Sequence, residues 1–162
     1  MGYLEAQIRG AREEDAASVV AWFTTYAEAI LWGGPAVPAG FDAKWLAGEI
    51  TAAPDGYRTA YVPGVIVGIC GLRRFAEERR LHIQRLGIAP LYRGKGLGRL
   101  LLKDAIAEAQ KQSVPTVSLN VYGSNLRARR LYEEFGFCAS KTRNAPEDVS
   151  GVSVYMERPV AL

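Results

Sequence analysis

Runs of alternating and helically spaced apolar residues divide this chain into short strands and amphipathic helices. Gln7 to Arg9 reads as a first short strand. Glu13, Glu14 and Asp15 then precede Val19, Val20, Trp22, Phe23 and Tyr26. Acids in a first turn ahead of apolar residues at helical spacing predict a helix to about Ala29. Trp32-Gly33-Gly34-Pro35 breaks that pattern, and Phe41 to Ala52 predicts a second helix with Trp45, Leu46 and Ile50 on one face. Two strands follow, Tyr57 to Val62 and Val65 to Arg73, joined by the tight-turn pair Pro63-Gly64. Polar residues from Ala76 to Arg79 suggest another hairpin tip, and Leu81 to Ile88 a fourth strand ending before Pro90. Arg99 to Gln112 carries the clearest amphipathic helix, with Leu101, Leu102, Ala105 and Ala109 on its apolar stripe. Thr116 to Val121 is a fifth strand. Ser124 or Asn125 can cap a helix running to Phe135, with Gly136 as its stop. Strands at about Phe137 to Thr142 and Val152 to Glu157 close the chain. No linker interrupts the series, which predicts one mixed α/β domain over residues 1–162.

Composition narrows the function classes. A chain of 162 residues with 49% hydrophobic and 23% charged residues can bury a full core and needs no covalent staple. Its 20 basic and 17 acidic residues give a net charge of +3, too weak to imply nucleic acid, and its aromatics are not interleaved with its basic residues. Cys70 and Cys138 are the only cysteines and His82 the only histidine, so no zinc pattern can be assembled and no metal is expected. Neither cysteine has a histidine partner nearby in sequence, which argues against an acyl-enzyme nucleophile; Cys138 reads as small core filler. Two thiols in a chain able to fold without a bridge suggest a reducing, cytoplasmic setting. Met1 to Ala6 lacks the cationic and apolar regions of a signal peptide, and Ala6 stands where a myristoylation motif wants Ser or Thr. No apolar run approaches the roughly 18 residues of a membrane span.

The chemistry concentrates between the fourth strand and the amphipathic helix, in Arg93-Gly94-Lys95-Gly96-Leu97-Gly98-Arg99. Glycines let backbone approach a phosphate, and the first N–H groups of a helix have no intrahelical acceptor. With three basic side chains added, a diphosphate is a natural ligand; a solvated surface turn is the plainer alternative. Two familiar phosphate motifs fail by letter. A P-loop would need glycine at Ala89 and Ser or Thr at Gly96, and the G-x-G-x-x-G fingerprint meets Arg99 or Leu101 where its third glycine belongs.

What does fit is [QR]-x-x-G-x-[GA], as Arg93-x-x-Gly96-x-Gly98. With Arg85-Leu86-Gly87-Ile88-Ala89-Pro90 upstream, and Leu119 to Asn125 followed by Leu131-Tyr132 and Phe135-Gly136-Phe137 downstream, it resembles the GCN5-related N-acetyltransferase (GNAT) superfamily. The specific resemblance covers about Leu81 to Phe137, and the element order fits throughout. It implies a mixed central sheet with splayed fourth and fifth strands flanked by about four helices. It also implies acetyl-CoA as cosubstrate and direct attack by an amine in a ternary complex.

Roles follow by resemblance. The diphosphate would lie on Arg93, Gly94, Lys95, Gly96, Leu97, Gly98 and Arg99, and the pantetheine arm along Leu86, Gly87 and Ile88. The Ile88 N–H would face the developing oxyanion. Asn125 would contact the arm, serve as a helix cap, or both. Tyr132 would protonate the leaving thiolate, or else is a core aromatic. The base is open. A glutamate used by some branches corresponds to His82, six residues before Ile88, while the glutamate of the ribosomal-protein alanine acetyltransferases corresponds to Asn120, which has no basic group. Either His82 accepts the proton or water does. Trp32 either walls an acceptor pocket or covers the core. Glu28, Glu77 and Glu78 either attract a cationic amine or are solvated, and Arg127, Arg129 and Arg130 either meet the CoA 3′-phosphate or face water. The expected partner is an amine, on a small molecule or a protein, with no nucleic acid and no membrane; a homodimer is left open. The missing glutamates motivate an alternative, a catalytically weak acyl-CoA-binding regulatory or sensor module.

Overall fold

The computed structural model describes residues 5–53, 56–144 and 152–162. The N-terminal targeting motifs read on Met1 to Leu4 lie outside them. The elements run β1 (Gln7–Gly10), α1 (Asp15–Val20), α2 (Tyr26–Gly33), α3 (Ala43–Ala52), β2 (Tyr57–Val62), β3 (Val65–Phe75) and β4 (Arg80–Ile88). A 3-10 turn at Pro90–Tyr92 leads to α4 (Leu97–Lys111), β5 (Thr116–Tyr122), α5 (Leu126–Glu134), β6 (Cys138–Asn144) and β7 (Val152–Pro159). The strands form a seven-stranded mixed sheet in the order β1-β2-β3-β4-β5-β7-β6. The β4–β5 pair is parallel, with Arg80 to Ile83 beside Thr116 to Leu119. No helix among the described residues is long and apolar enough to cross a membrane.

The single helix expected from Glu13 to Ala29 is two helices. Thr25 is extended and accepts the Glu28 N–H, while the Glu28 carboxylate accepts from the Thr24 N–H (2.8 Å) and hydroxyl (3.1 Å). This reciprocal cap starts a new helix and offsets the end of the first. The second helix then runs through Trp32 and Gly33, past the expected break, and stops at Gly34, whose φ of +78° suits only glycine. There are accordingly five α-helices among the described residues, one more than expected.

Two compact units can be distinguished, residues 1–72 with 85–102 and residues 73–84 with 103–162. In the first, Ala16, Val19, Leu46, Ile50, Tyr57 and Ile69 form a core against which Trp22, Phe23, Trp32 and Trp45 pack half-buried. Removing each large aliphatic side chain from water stabilises by about 1.5–3 kcal/mol. In the second, β5 and β7 alternate about a buried face. Val117, Leu119 and Val121 share it with Val154 and Met156, and Leu119 lies directly across from Met156.

Asp15, read from the sequence only as a first-turn helix acid, is buried in the first unit. Its carboxylate takes both ends of the Arg9 guanidinium (2.8 and 2.9 Å), the Arg12 N–H (2.8 Å) and the Thr59 hydroxyl (3.1 Å). Burial pushes its pKa up, but Arg9, Arg12 and Thr59 together outweigh that and hold it below the usual carboxylate range. A folded-state pKa below the unfolded one contributes stability above about pH 4 that is lost as pH falls through the folded value. Asp15→Asn should therefore lower unfolding stability by about 3 kcal/mol at neutral pH. The same variant should flatten the acid limb of stability against pH, as measured by urea denaturation between pH 7 and pH 2.

Candidate active site

The first unit contributes the glycine turn. Ala89 donates its N–H to the Val67 carbonyl (2.9 Å) at the end of β4, and the 3-10 turn at Pro90–Tyr92 carries the chain outward. Arg93 then folds back, its Nε donating to the Ile88 carbonyl (3.2 Å). Gly94 (φ +74°) and Gly96 (φ +84°) are both left-handed, a conformation in which a side chain is strained. Buried Leu97 anchors the turn, while Arg93, Gly94, Lys95, Gly96 and Arg99 are exposed. The helix begins at Leu97, two residues earlier than Arg99, so Gly98 and Arg99 lie in its first turn. Its first intrahelical bond here is Leu100 N–H to the Gly96 carbonyl (3.1 Å). The preceding N–H groups, at the positive end of the helix dipole and beside three basic residues, suit an anion.

Immediately upstream, β4 contains a backbone irregularity that sequence reasoning missed. Arg85 has φ +53° although it is neither glycine nor in a turn. That conformation costs an L-residue about 1–2 kcal/mol and persists only where neighbours impose it. Here they do. The buried guanidinium donates to Glu49 Oε2 (2.7 Å), to the Tyr57 hydroxyl and to the Gly33 carbonyl (3.4 Å), and stands over the Trp45 ring (5.1 Å). On the main chain, the Arg85 carbonyl accepts from Trp32 Nε1 (2.9 Å). Burial disfavours the charged form of Arg85, but Glu49 and Tyr57 reverse this and raise its pKa. Burial also pushes the Tyr57 hydroxyl up, more than Arg85 pulls it down.

Trp32 stacks on Phe23 (centroids 4.7 Å) and lies directly over Gly87, where a Cβ would come within 2.8 Å of the indole. It thus packs on the strand and on the first unit's core together. Leu86, Gly87 and Ile88 follow Arg85 as half-buried residues. Trp32 stood out in the sequence, but Glu49 and Tyr57 did not; the signal for their cluster was only an arginine within an otherwise apolar strand end.

The second unit contributes the other candidates. Asn125 caps α5, its Oδ1 accepting from the Ala128 N–H (3.3 Å), which leaves its amide NH2 available. Tyr132 is buried on α5, edge-on to Phe137 (6.1 Å). His82 is half-buried on β4. Its Nδ1 lies 2.8 Å from the Ser118 hydroxyl and 3.3 Å from Arg80 Nη1, and its Nε2 lies 3.4 Å from the side-chain amide of exposed Asn120. Arg80 also donates to Ser118 (2.9 Å), with its guanidinium over the Phe75 ring (4.0 Å). Ser118 and Arg80 were not singled out in the sequence. The parallel β4–β5 register, which sets His82 beside Ser118, is what brings them together.

The remaining candidates separate. Glu28 is spent on its helix cap, and the Thr24 N–H, its strongest partner, holds its carboxyl below the usual range. Glu78 pairs with Arg80, Arg129 approaches Glu133 (3.9 Å), and Arg127 and Arg130 are exposed. Both cysteines are free thiols. Cys138 is exposed rather than core filler, because Phe137 takes the buried position and leaves Cys138 at the start of the edge strand β6.

Comparison with known proteins identifies the family of the chain. The model of the Acetyltransferase (GNAT) family matches residues 17–137. The N-alpha-acetyltransferase RimI of Mycobacterium tuberculosis is 30% identical over 112 residues, 68% of this chain and 69% of that protein. A mycothiol acetyltransferase of Streptomyces coelicolor is 34% identical over 89 residues, 55% of this chain and 29% of that one. The chain thus spans under a third of the mycothiol acetyltransferases it matches. Among solved structures, an acetyltransferase from Salmonella typhimurium with its cofactor acetyl-CoA shares the fold at 20% identity, with a TM-score of 0.77 over 98% of this chain and 95% of that one. Sequence match over most of the chain and fold match over nearly all of it agree: the chain belongs to the Acetyltransferase (GNAT) family.

Proposed function

We propose that residues 1–162 act as one acetyl-CoA-dependent N-acetyltransferase domain that moves an acetyl group to a primary amine by direct attack in a ternary complex. One observation carries this reading: paired left-handed glycines, ringed by Arg93, Lys95 and Arg99, open directly into the first turn of α4 in a chain of this family. The backbone from Arg93 to Arg99 receives the diphosphate of acetyl-CoA. Leu86, Gly87 and Ile88 run beside the pantetheine arm, as an added strand would pair, with Asn125 contributing its amide NH2. The Ile88 N–H stabilises the oxyanion of the tetrahedral intermediate.

Tyr132 protonates the departing CoA thiolate. In the tautomer that carries its Nδ1 proton towards Ser118, His82 presents Nε2 to take the proton of the incoming ammonium. The acceptor is an amine. The names of the relatives cite mycothiol, N-alpha-acetylation and, in a Bacillus subtilis enzyme, spermine and spermidine, so they do not favour one acceptor. A binding-only sensor has no observation in its favour.

Titration calorimetry with acetyl-CoA should give saturable binding to the wild type, weakened roughly 100-fold or more in Gly96→Trp, where φ +84° and the bulky ring both exclude the diphosphate. Absence of wild-type binding at high acetyl-CoA would overturn the cofactor assignment. Thiol release with an amine panel should show Tyr132→Phe folded and binding acetyl-CoA, with kcat lowered about 100-fold. His82→Gln should lower kcat by a similar roughly 100-fold factor and remove the acid limb of its pH profile. An unchanged limb would assign the proton to water instead.

A further inference from the structure

The Arg85 cluster is more elaborate than packing requires. A guanidinium with 7% of its side chain exposed is costly to keep in an interior, and an apolar residue of similar size would often serve the fold as well. The chain nevertheless spends a carboxylate, a phenol, a backbone carbonyl and a ring face on it, drawn from α2, α3 and β2. From the main-chain side, Trp32 Nε1 holds the carbonyl of the same residue. Both sets of contacts converge on the one residue in the described part of β4 whose φ is positive.

Reversal of φ at one residue of a strand rotates the peptides that follow. Here those peptides belong to Leu86, Gly87 and Ile88. We infer that Arg85 is a positioning residue: the Glu49–Arg85–Tyr57 clamp, closed from the other side by Trp32, holds the left-handed turn in β4 and so sets the direction in which the Leu86, Gly87 and Ile88 peptides meet the thioester. This rests on the reading of that segment as the acyl-CoA strand. The clamp acts through the backbone and touches no substrate. An N–H displaced by about 1 Å can cost roughly 100-fold in rate without loss of fold.

The test compares the full-length chain with Glu49→Gln, Tyr57→Phe and Arg85→Gly, using Asp15→Asn as the control. Asp15→Asn breaks a different buried ion pair in the same unit, so it reports what general destabilisation does. Arg85→Gly removes the clamp at a residue for which a left-handed φ carries no strain, so any displacement there reports loss of the clamp alone. Steady-state kinetics and site-resolved amide hydrogen exchange are read at denaturant concentrations that match global stability. The clamp predicts kcat falling roughly 10–100-fold in all three variants with the acceptor KM little changed, and no such fall in Asp15→Asn. It also predicts faster exchange at Leu86 to Ile88 in the three variants than in the control, with or without acetyl-CoA.

Equal kcat and equal exchange in the variants and the control would overturn the inference. If the wild type neither binds acetyl-CoA nor turns over, the functional reading fails and takes the catalytic half of the inference with it. The exchange data then decide by themselves whether Arg85 sets the geometry of the segment.

Discussion

A buried cation must be met by fixed partners, and the helices of the first unit are arranged around that requirement. Glu49 reaches Arg85 from α3, the Gly33 carbonyl from the end of α2, and Tyr57 from the start of β2, while Trp45 supplies a ring face. Each of these elements is short, and a helix of eight to ten residues has little stability of its own. Their common attachment to one strand residue gives them fixed positions on β4 that apolar packing, which is not directional, would define less sharply.

The same economy governs the chemistry. Family membership supplies a reaction class, and in the proposed mechanism the parts that would perform it are mainly backbone: peptides after Arg85, and N–H groups at the head of α4. Backbone dipoles need no titration and no rotamer change to act, so what the protein must provide is their direction. Glycine at 94 and 96 provides it at the turn, and a clamped arginine provides it in the strand. In that mechanism side chains enter only where protons would move, at the two proposed residues Tyr132 and His82.

The sequence was most informative where local rules decide the outcome. The hairpin at Pro63-Gly64, the long helix after the glycines, the Asn125 cap and the Gly136 stop are set within a few residues, and the structure has each of them. It was least informative where two local signals competed. The apolar spacing from Val19 to Tyr26 suggested continuous helix, yet the Thr25-x-x-Glu28 cap, also visible in the letters, ended it. The glycine motif was legible because its letters set its backbone: Gly94 and Gly96 take the left-handed φ that glycine adopts freely. The Arg85, Ser118 and Asp15 networks were not, since each joins residues more than thirty positions apart through strand register or helix docking. Cys138 shows the same gap at a single residue: a thiol read as core filler is exposed.

The contact between Trp32 and Gly87 bears on how this sequence can drift. An added methyl at 87 would press on the indole at 2.8 Å, and a smaller ring at 32 would uncover the strand and release the Arg85 carbonyl. Neither position is at liberty to change alone, though the pair is separated by more than fifty residues. Among descendants of this chain, the two sites should therefore be inherited as one character: tryptophan with glycine, or a smaller residue with a larger one.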